Sequence, residues 1–210
     1  MNEGATLGFT MKKYEARTFN LPELKGLSKE QIDAHLGLYE GYVKHVNLIV
    51  EKIGALREAD AEGNAYPINE MRRRLGFEFD GMRMHEYYFE QFEDRCREAD
   101  EGSALAKAVI EKYGERGGLV KHIKEVAGTR GIGWVVVYYD PIGAQIHTTF
   151  VGDHELGQLA TLPIILALDL WEHAYMVDYL PAEKKNYIDA FFENLNWMVC
   201  EQRFQKAMGA

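Results

Sequence analysis

The chain has 210 residues, 47% of them hydrophobic, which is enough for one full core or two small ones. Its net charge of −9 excludes general binding to nucleic acid, which needs basic patches, while leaving local attraction of an anion open. Cys96 and Cys200 form neither a CxxC pair nor a disulfide framework, Met1 to Thr10 show no secretory pattern, and no apolar run reaches the roughly 18 residues of a membrane span. The expectation is a cytoplasmic protein without a membrane partner.

Residues 1 to about 27 are weakly patterned and hold Pro22 and Gly26, which suggests an extended arm. Ser28-Lys29-Glu30-Gln31 reads as a capping box, with the serine capping a backbone N–H and Gln31 reaching back. The helix behind it carries Ile32, His35, Leu36, Tyr39, Val43 and Val46 on one face and is expected to end near Gly54. A polar link from Glu58 to Gly63 and a short helix from Pro67 to Leu75 follow. From Asp80 a second strong pattern places Met82, His85, Tyr88, Phe89 and Phe92 together. The charged run Glu93 to Glu101 is a solvated link, and it divides an N-terminal helical-hairpin domain, 12–98, from a C-terminal α/β domain, 99–207.

Beyond that link, Ser103 to Tyr113 and Leu119 to Ala127 read as helices. Gly133 to Tyr139 and Ala144 to Val151 flank an Asp140-Pro141-Ile142-Gly143 turn and read as a hairpin. Leu162 to Leu168 is a third, buried strand, and one last helix after Pro181 carries Tyr187, Phe191, Leu195 and Met198 inward. The fold class is therefore α+β: an α-helical first half, then a helix-flanked, three-stranded antiparallel sheet.

Several chemistries are absent. There is no phosphate-binding glycine loop, no dinucleotide fingerprint, no second histidine after His85-Glu86, and no nucleophile elbow around Ser28 or Ser103. No histidine has an acid three residues before it, which excludes the helical di-iron motif. What remains is His35, His85, Asp169 and His173, each on an apolar face or at the end of an apolar run. Three imidazoles and one carboxylate suit Fe or Mn better than Ca or Mg. These residues alone leave two readings open, a mononuclear metal site and a set of satisfied core histidines beside a buried acid.

Asp169-x-Trp171-Glu172-His173-Ala174-Tyr175 resembles the signature of the iron/manganese superoxide dismutase family. Ile32 to His35 with Tyr42-Val43, Phe79 through His85 to Tyr88, Gly131 to Trp134, and Tyr187 through Phe191 to Trp197 fall in that family's order, so the resemblance covers about residues 12 to 200. It implies a helical hairpin followed by an α/β domain, with one Fe or Mn ion per chain between them, held by His35, His85, Asp169 and His173. The implied activity is dismutation of superoxide to O2 and hydrogen peroxide by alternating M(III)/M(II) states. A non-catalytic, metal-storing dimeric scaffold is the alternative. The resemblance also implies Tyr42 as channel guard and Trp134 and Trp171 as walls. His154 would be the histidine some members carry in place of a tuning glutamine, and Tyr42 and His154 would be the proton route. Glu172 would reach the partner's ligand histidine in a homodimer or tetramer.

This sequence departs from the family pattern at the channel. Gly81 stands where the usual glutamine would be, Tyr39 and Met176 match the positions of a histidine–tyrosine gateway, and Arg83 replaces a tryptophan. Lys184 and Lys185 lie where an arginine is usual. Seven residues rather than eight separate His35 from Tyr42, a difference of about 100° around a regular helix. Either the family's helix irregularity is missing here or Tyr42 is displaced.

Overall fold

The computed structural model describes residues 12–98 and 100–209, and it begins with a segment lying along the two helices that follow. Tyr14 and Asn47 exchange two hydrogen bonds of 2.9 and 2.8 Å, and the Arg17 N–H donates to the Tyr39 hydroxyl at 2.8 Å. Helix α1, Lys29–Asp60, starts where the Ser28 Oγ accepts the Gln31 N–H. It runs through Gly54, past its expected end. A mid-helix glycine costs about 1 kcal/mol relative to alanine, and the long face shared with the next helix outweighs that.

Helix α2, Ala65–Glu90, is one element where two were expected. Gly76 does not break it, because the Arg74 guanidinium bonds the Glu78 carboxylate at 2.9 Å across the glycine, and Phe79 packs edge-on to Tyr14. Both helices carry charged residues on the outer face and aliphatic and aromatic residues on the inner one. Their buried stripes meet at His35, Tyr39 and Val43 on α1 and at His85, Tyr88 and Phe89 on α2.

The expected helices α3, Ala104–Tyr113, and α4, Gly118–Val126, form, with Ser103 capping the first. Strands β1 (Gly133–Asp140), β2 (Gln145–Gly152) and β3 (Ile164–Asp169) make an antiparallel sheet in the order β2-β1-β3. β1 is buried almost end to end, as a central strand between helices must be. Gly133 opens it at φ 146°, where a Cβ would lie 2.0 Å from the Val151 carbonyl oxygen. The register then sets Trp134 opposite Asp169. The single last helix expected after Pro181 is two, α5 (Lys184–Asn194) and α6 (Trp197–Met208). Leu195 leaves the helical region at ψ 125°, and the Asn196 side chain accepts the Met198 N–H to start the second.

Two side chains lock α2 to the sheet. The Gln91 amide pairs with both the N–H and the C=O of Ala167 at 2.8 Å, acting as a short extra strand on the β3 edge. The Arg203 guanidinium bonds the Ile165 and Tyr87 carbonyls and the Glu90 carboxylate. β3 is thereby held two to four residues before Asp169. Among the described residues no helix is long and apolar enough to cross a membrane.

Candidate metal centre

His35 and His85 project from facing stripes of α1 and α2, Asp169 ends β3, and His173 lies in the 3-10 turn Glu172–Ala174 just beyond. The structure brings all four together: one donor atom of each lies within 4.8 Å of the others. Asp169 Oδ2 is 3.1 Å from His35 Nε2, 3.3 Å from His173 Nε2 and 3.6 Å from His85 Nε2. His85 Nε2 and His173 Nε2 are 3.3 Å apart. Two ligands each about 2.1 Å from one ion and about 90–120° apart are separated by about 3.0–3.6 Å. The cluster has the spacing of a coordination shell.

Protonation leads to the same conclusion. His85 Nδ1 lies 2.6 Å from the Gly81 carbonyl, which can only accept, so Nδ1 carries the proton and Nε2 is bare. That lone pair lies 3.6 Å from an Asp169 carboxylate oxygen and 3.3 Å from His173 Nε2, a convergence of electron-pair donors that a bound cation would satisfy. Burial lowers the basicity of His35 and lowers that of His85 well below the ordinary value, so both favour the neutral imidazole that a metal ligand must be. Burial also works against a charged Asp169, but His173 and His35 outweigh it and hold the carboxyl well below the usual range. Its other oxygen, Oδ1, accepts the Trp171 N–H at 2.8 Å, which aims Oδ2 at the imidazoles. The Tyr187 hydroxyl donates to the Asp169 carbonyl at 2.8 Å and in turn accepts from Tyr88.

A second ring of side chains closes over this group. Trp134 is fully buried with its indole edge-on to His85 at 5.1 Å, and Trp171 is stacked between His173 and His154. The Trp134 Nε1–H donates to His154 Nδ1 at 2.9 Å. An indole N–H cannot accept, so Nδ1 of His154 is the bare nitrogen and Nε2 bears the proton. Nε2 lies 2.8 Å from the Tyr42 hydroxyl and must donate to it. Tyr42 therefore accepts from His154 and keeps its own proton free. Burial pushes the His154 basicity down to about 4, so this histidine is neutral at physiological pH. Burial, then the charge of Asp169, pushes the Tyr42 hydroxyl above its ordinary range, so it remains a phenol.

Tyr42 is in reach because α1 is a regular helix. Seven residues advance about 700°, within about 20° of two full turns, so Tyr42 shares the His35 face without any bulge. Its ring lies 5.1 Å from that of His85 and rests on Gly81, where a Cβ would stand 2.7 Å from a ring carbon. Tyr39 is turned away from solvent. Its hydroxyl donates to Glu86 at 3.1 Å while accepting from Arg17, and burial pushes its pKa up to about 12. Met176 is exposed, as is Glu172, whereas Lys184 is half-buried and its basicity is lowered by that burial. Arg83 bonds Glu86 at 2.5 Å and lies over the Tyr14 and Phe79 rings.

Sequence reasoning missed three contributors. Phe77 packs against both His154 and Trp171, with the Arg74 guanidinium 3.7 Å over its ring. Glu86 is a buried acid joining Arg83 to Tyr39. Gln31 does not complete the expected capping box: the Ser28 N–H goes to Asp178 at 2.6 Å and the Gln31 amide goes elsewhere. Only its position on the buried stripe, one turn before His35, signalled a further role.

Comparison with known proteins adds an independent line. Residues 100–203 match the family model for the C-terminal domain of iron/manganese superoxide dismutases. The chain is 30% identical over 207 residues to a superoxide dismutase [Fe] of Saccharolobus solfataricus, covering 96% of this chain and 98% of that one. It is 33% identical over 191 residues to a superoxide dismutase [Fe] of Aquifex aeolicus, covering 89% and 88%. A superoxide dismutase [Mn] of Haloferax volcanii is 30% identical over 170 residues, covering 81% and 82%.

Proposed function

The chain belongs to the iron/manganese superoxide dismutase family, and on that premise we propose that His35, His85, Asp169 and His173 hold the metal while Tyr42 and His154 manage the protons. The protein converts two superoxide ions and two protons to O2 and hydrogen peroxide, using one Fe or Mn ion per chain. When bound, that ion supplies the alternating trivalent and divalent states that accept and return one electron. The observation that carries the ligand assignment is the bare Nε2 of His85, held 3.6 Å from an ionised carboxylate oxygen.

The chain's own groups then have defined tasks. Trp134, Trp171 and Phe77 exclude bulk water from the imidazoles. His154 donates from Nε2 to the Tyr42 oxygen, which fixes the phenol and leaves its O–H as the proton donor to peroxide. His154 itself stays neutral, so it orients Tyr42 rather than acting as an imidazolium acid. A metal store needs ligands alone; the Trp134–His154–Tyr42 chain favours catalysis.

A division into a helical hairpin, 12–98, and an α/β part, 99–207, gives each half two of the four ligands. A cytoplasmic location fits the two free cysteines, Cys96 and Cys200. A homodimer fits the exposed Glu172 and the His173 ring, whose Nδ1 has no partner among the described residues. Glu172→Arg should shift the chain toward monomer in sedimentation; an unchanged dimer with full metal occupancy counts against that contact. For the activity, protein loaded with Fe or Mn should suppress superoxide-driven cytochrome c reduction, and His173→Ala should lose the metal. A metal-replete protein without activity, or a fully occupied His173→Ala variant, overturns the assignment.

A further inference from the structure

Gln31 is completely buried on α1, one turn before His35. A primary amide in an apolar stripe is costly unless both its ends are bonded. Here its NH2 group donates to the His173 carbonyl at 2.6 Å, and its oxygen accepts the Val177 N–H at 2.9 Å. Both partners are backbone groups of the segment that presents His173. Two neighbouring bonds strengthen the same seam: the Ser28 N–H to Asp178 Oδ2 at 2.6 Å, and the Tyr179 hydroxyl to the Gly26 carbonyl at 2.5 Å.

Two of the other ligands have hydrogen-bonded supports of their own, whereas the buried Nδ1 of His35, held by the packing of α1, has no partner among the described residues. His85 is fixed by Gly81, and Asp169 by the Trp171 N–H and by Tyr187. His173 sits in a single 3-10 turn, stacked on Trp171, with no bond to its Nδ1 among the described residues. Its placement within the chain therefore depends on where its backbone is held.

We propose that Gln31 is a positioning residue for the metal site. Its amide registers the His173–Val177 backbone against α1, so that the His35 and His173 rings keep their 5.0 Å separation. This rests on the ligand assignment above. Gln31 touches neither the metal donors nor the substrate space; it acts through the backbone of one ligand and the helix of another, and outer supports of this kind tune metal affinity.

The test compares wild type with Gln31→Met, which keeps the shape and loses both bonds. Gln31→Glu is the second variant; it keeps the acceptor for Val177 and loses the donor to His173. Each is loaded with Fe(III), challenged with a chelator and followed by metal analysis, while the EPR spectrum reports ligand geometry and urea unfolding of the metal-free proteins gives the structural baseline. Gln31→Met should lose metal about 10–100-fold faster with an altered EPR rhombicity, and Gln31→Glu should fall between it and wild type. Unchanged retention and spectrum in Gln31→Met overturn the proposal, even if the metal-free protein is less stable. If that variant does not fold, the same two readouts on Gln31→Glu decide. A wild-type chain that takes up no metal would instead refute the ligand assignment itself.

Discussion

Gly81 and Tyr42 should be energetically coupled with a change of sign. A Cβ on Gly81 would sit 2.7 and 2.8 Å from two Tyr42 ring carbons, against ordinary carbon contacts of about 3.5–4.0 Å, so the ring must move by about 1 Å. Overpacking of that size costs about 1–3 kcal/mol. Alanine in a helix interior returns about 1 kcal/mol over glycine. Gly81→Ala should therefore destabilise the wild-type chain by about 0–2 kcal/mol. It should also stretch the 2.8 Å bond between Tyr42 and His154. In a Tyr42→Ala background the obstacle is gone, and the same substitution should stabilise by about 1 kcal/mol. Urea denaturation of the four metal-free proteins at one concentration closes the cycle, with an expected coupling of about 1–3 kcal/mol. Equal effects of Gly81→Ala in the two backgrounds would refute the packing argument and, with it, the reason for a glycine at this position.

Asp80 gives a pH test. Burial, then the nearby Glu155 charge, raises its carboxyl to about 6, above its unfolded value, so folding is disfavoured once it ionises. Its effect is absent below about pH 4, and stability is lost as pH rises through about 6; Asp80→Asn should thus raise the urea midpoint at pH 7.5 and leave it unchanged at pH 4, and an equal gain at both would contradict this. Arg203→Met removes a guanidinium that satisfies two carbonyls and the Glu90 carboxylate, and should cost about 1–3 kcal/mol. The same variant leaves all four metal donors in place, so a loss of metal binding in folded protein would show that the β3 anchor, rather than stability alone, depends on it.

The fold was legible where local and tertiary signals agree. The Ser28 and Ser103 caps, the Asp140–Gly143 turn and the β-rich runs gave the starts of α1 and α3 and all three strands. Legibility failed at glycines and at single leucines. Gly54 and Gly76 carry a local penalty of about 1 kcal/mol each, which long helix–helix packing overrides, so α1 and α2 ran longer than their patterns suggested. The break between α5 and α6 is invisible in periodicity, because Leu195 is as buried as any helical leucine while its backbone is extended. At the site, the four metal-donor candidates stood out because His and Asp on apolar stripes are anomalies. Gln31 and Glu86 share that anomaly in weaker form, and nothing in their spacing says which distant backbone or hydroxyl they reach.

Three features around Tyr42 are linked: the seven-residue interval from His35, Gly81 and His154. A regular α1 with a seven-residue interval brings Tyr42 in at the level of Gly81 on α2. Any side chain at residue 81 would occupy the volume of the Tyr42 ring, so a glutamine there and this tyrosine position exclude each other. The sheet supplies the donor to the Tyr42 hydroxyl: His154 follows β2 and is oriented through Trp134 on β1. The imidazole does what a side-chain amide would do, donating to the phenol while accepting from the indole, and burial keeps it neutral so that this pattern persists at physiological pH. The Tyr42 position and the glycine therefore fit one another, and His154 supplies the hydrogen bond that Tyr42 accepts. Replacing His154 with glutamine alone should keep the hydrogen-bond pattern only if its amide spans the 2.9 and 2.8 Å contacts that the imidazole now makes from two ring edges.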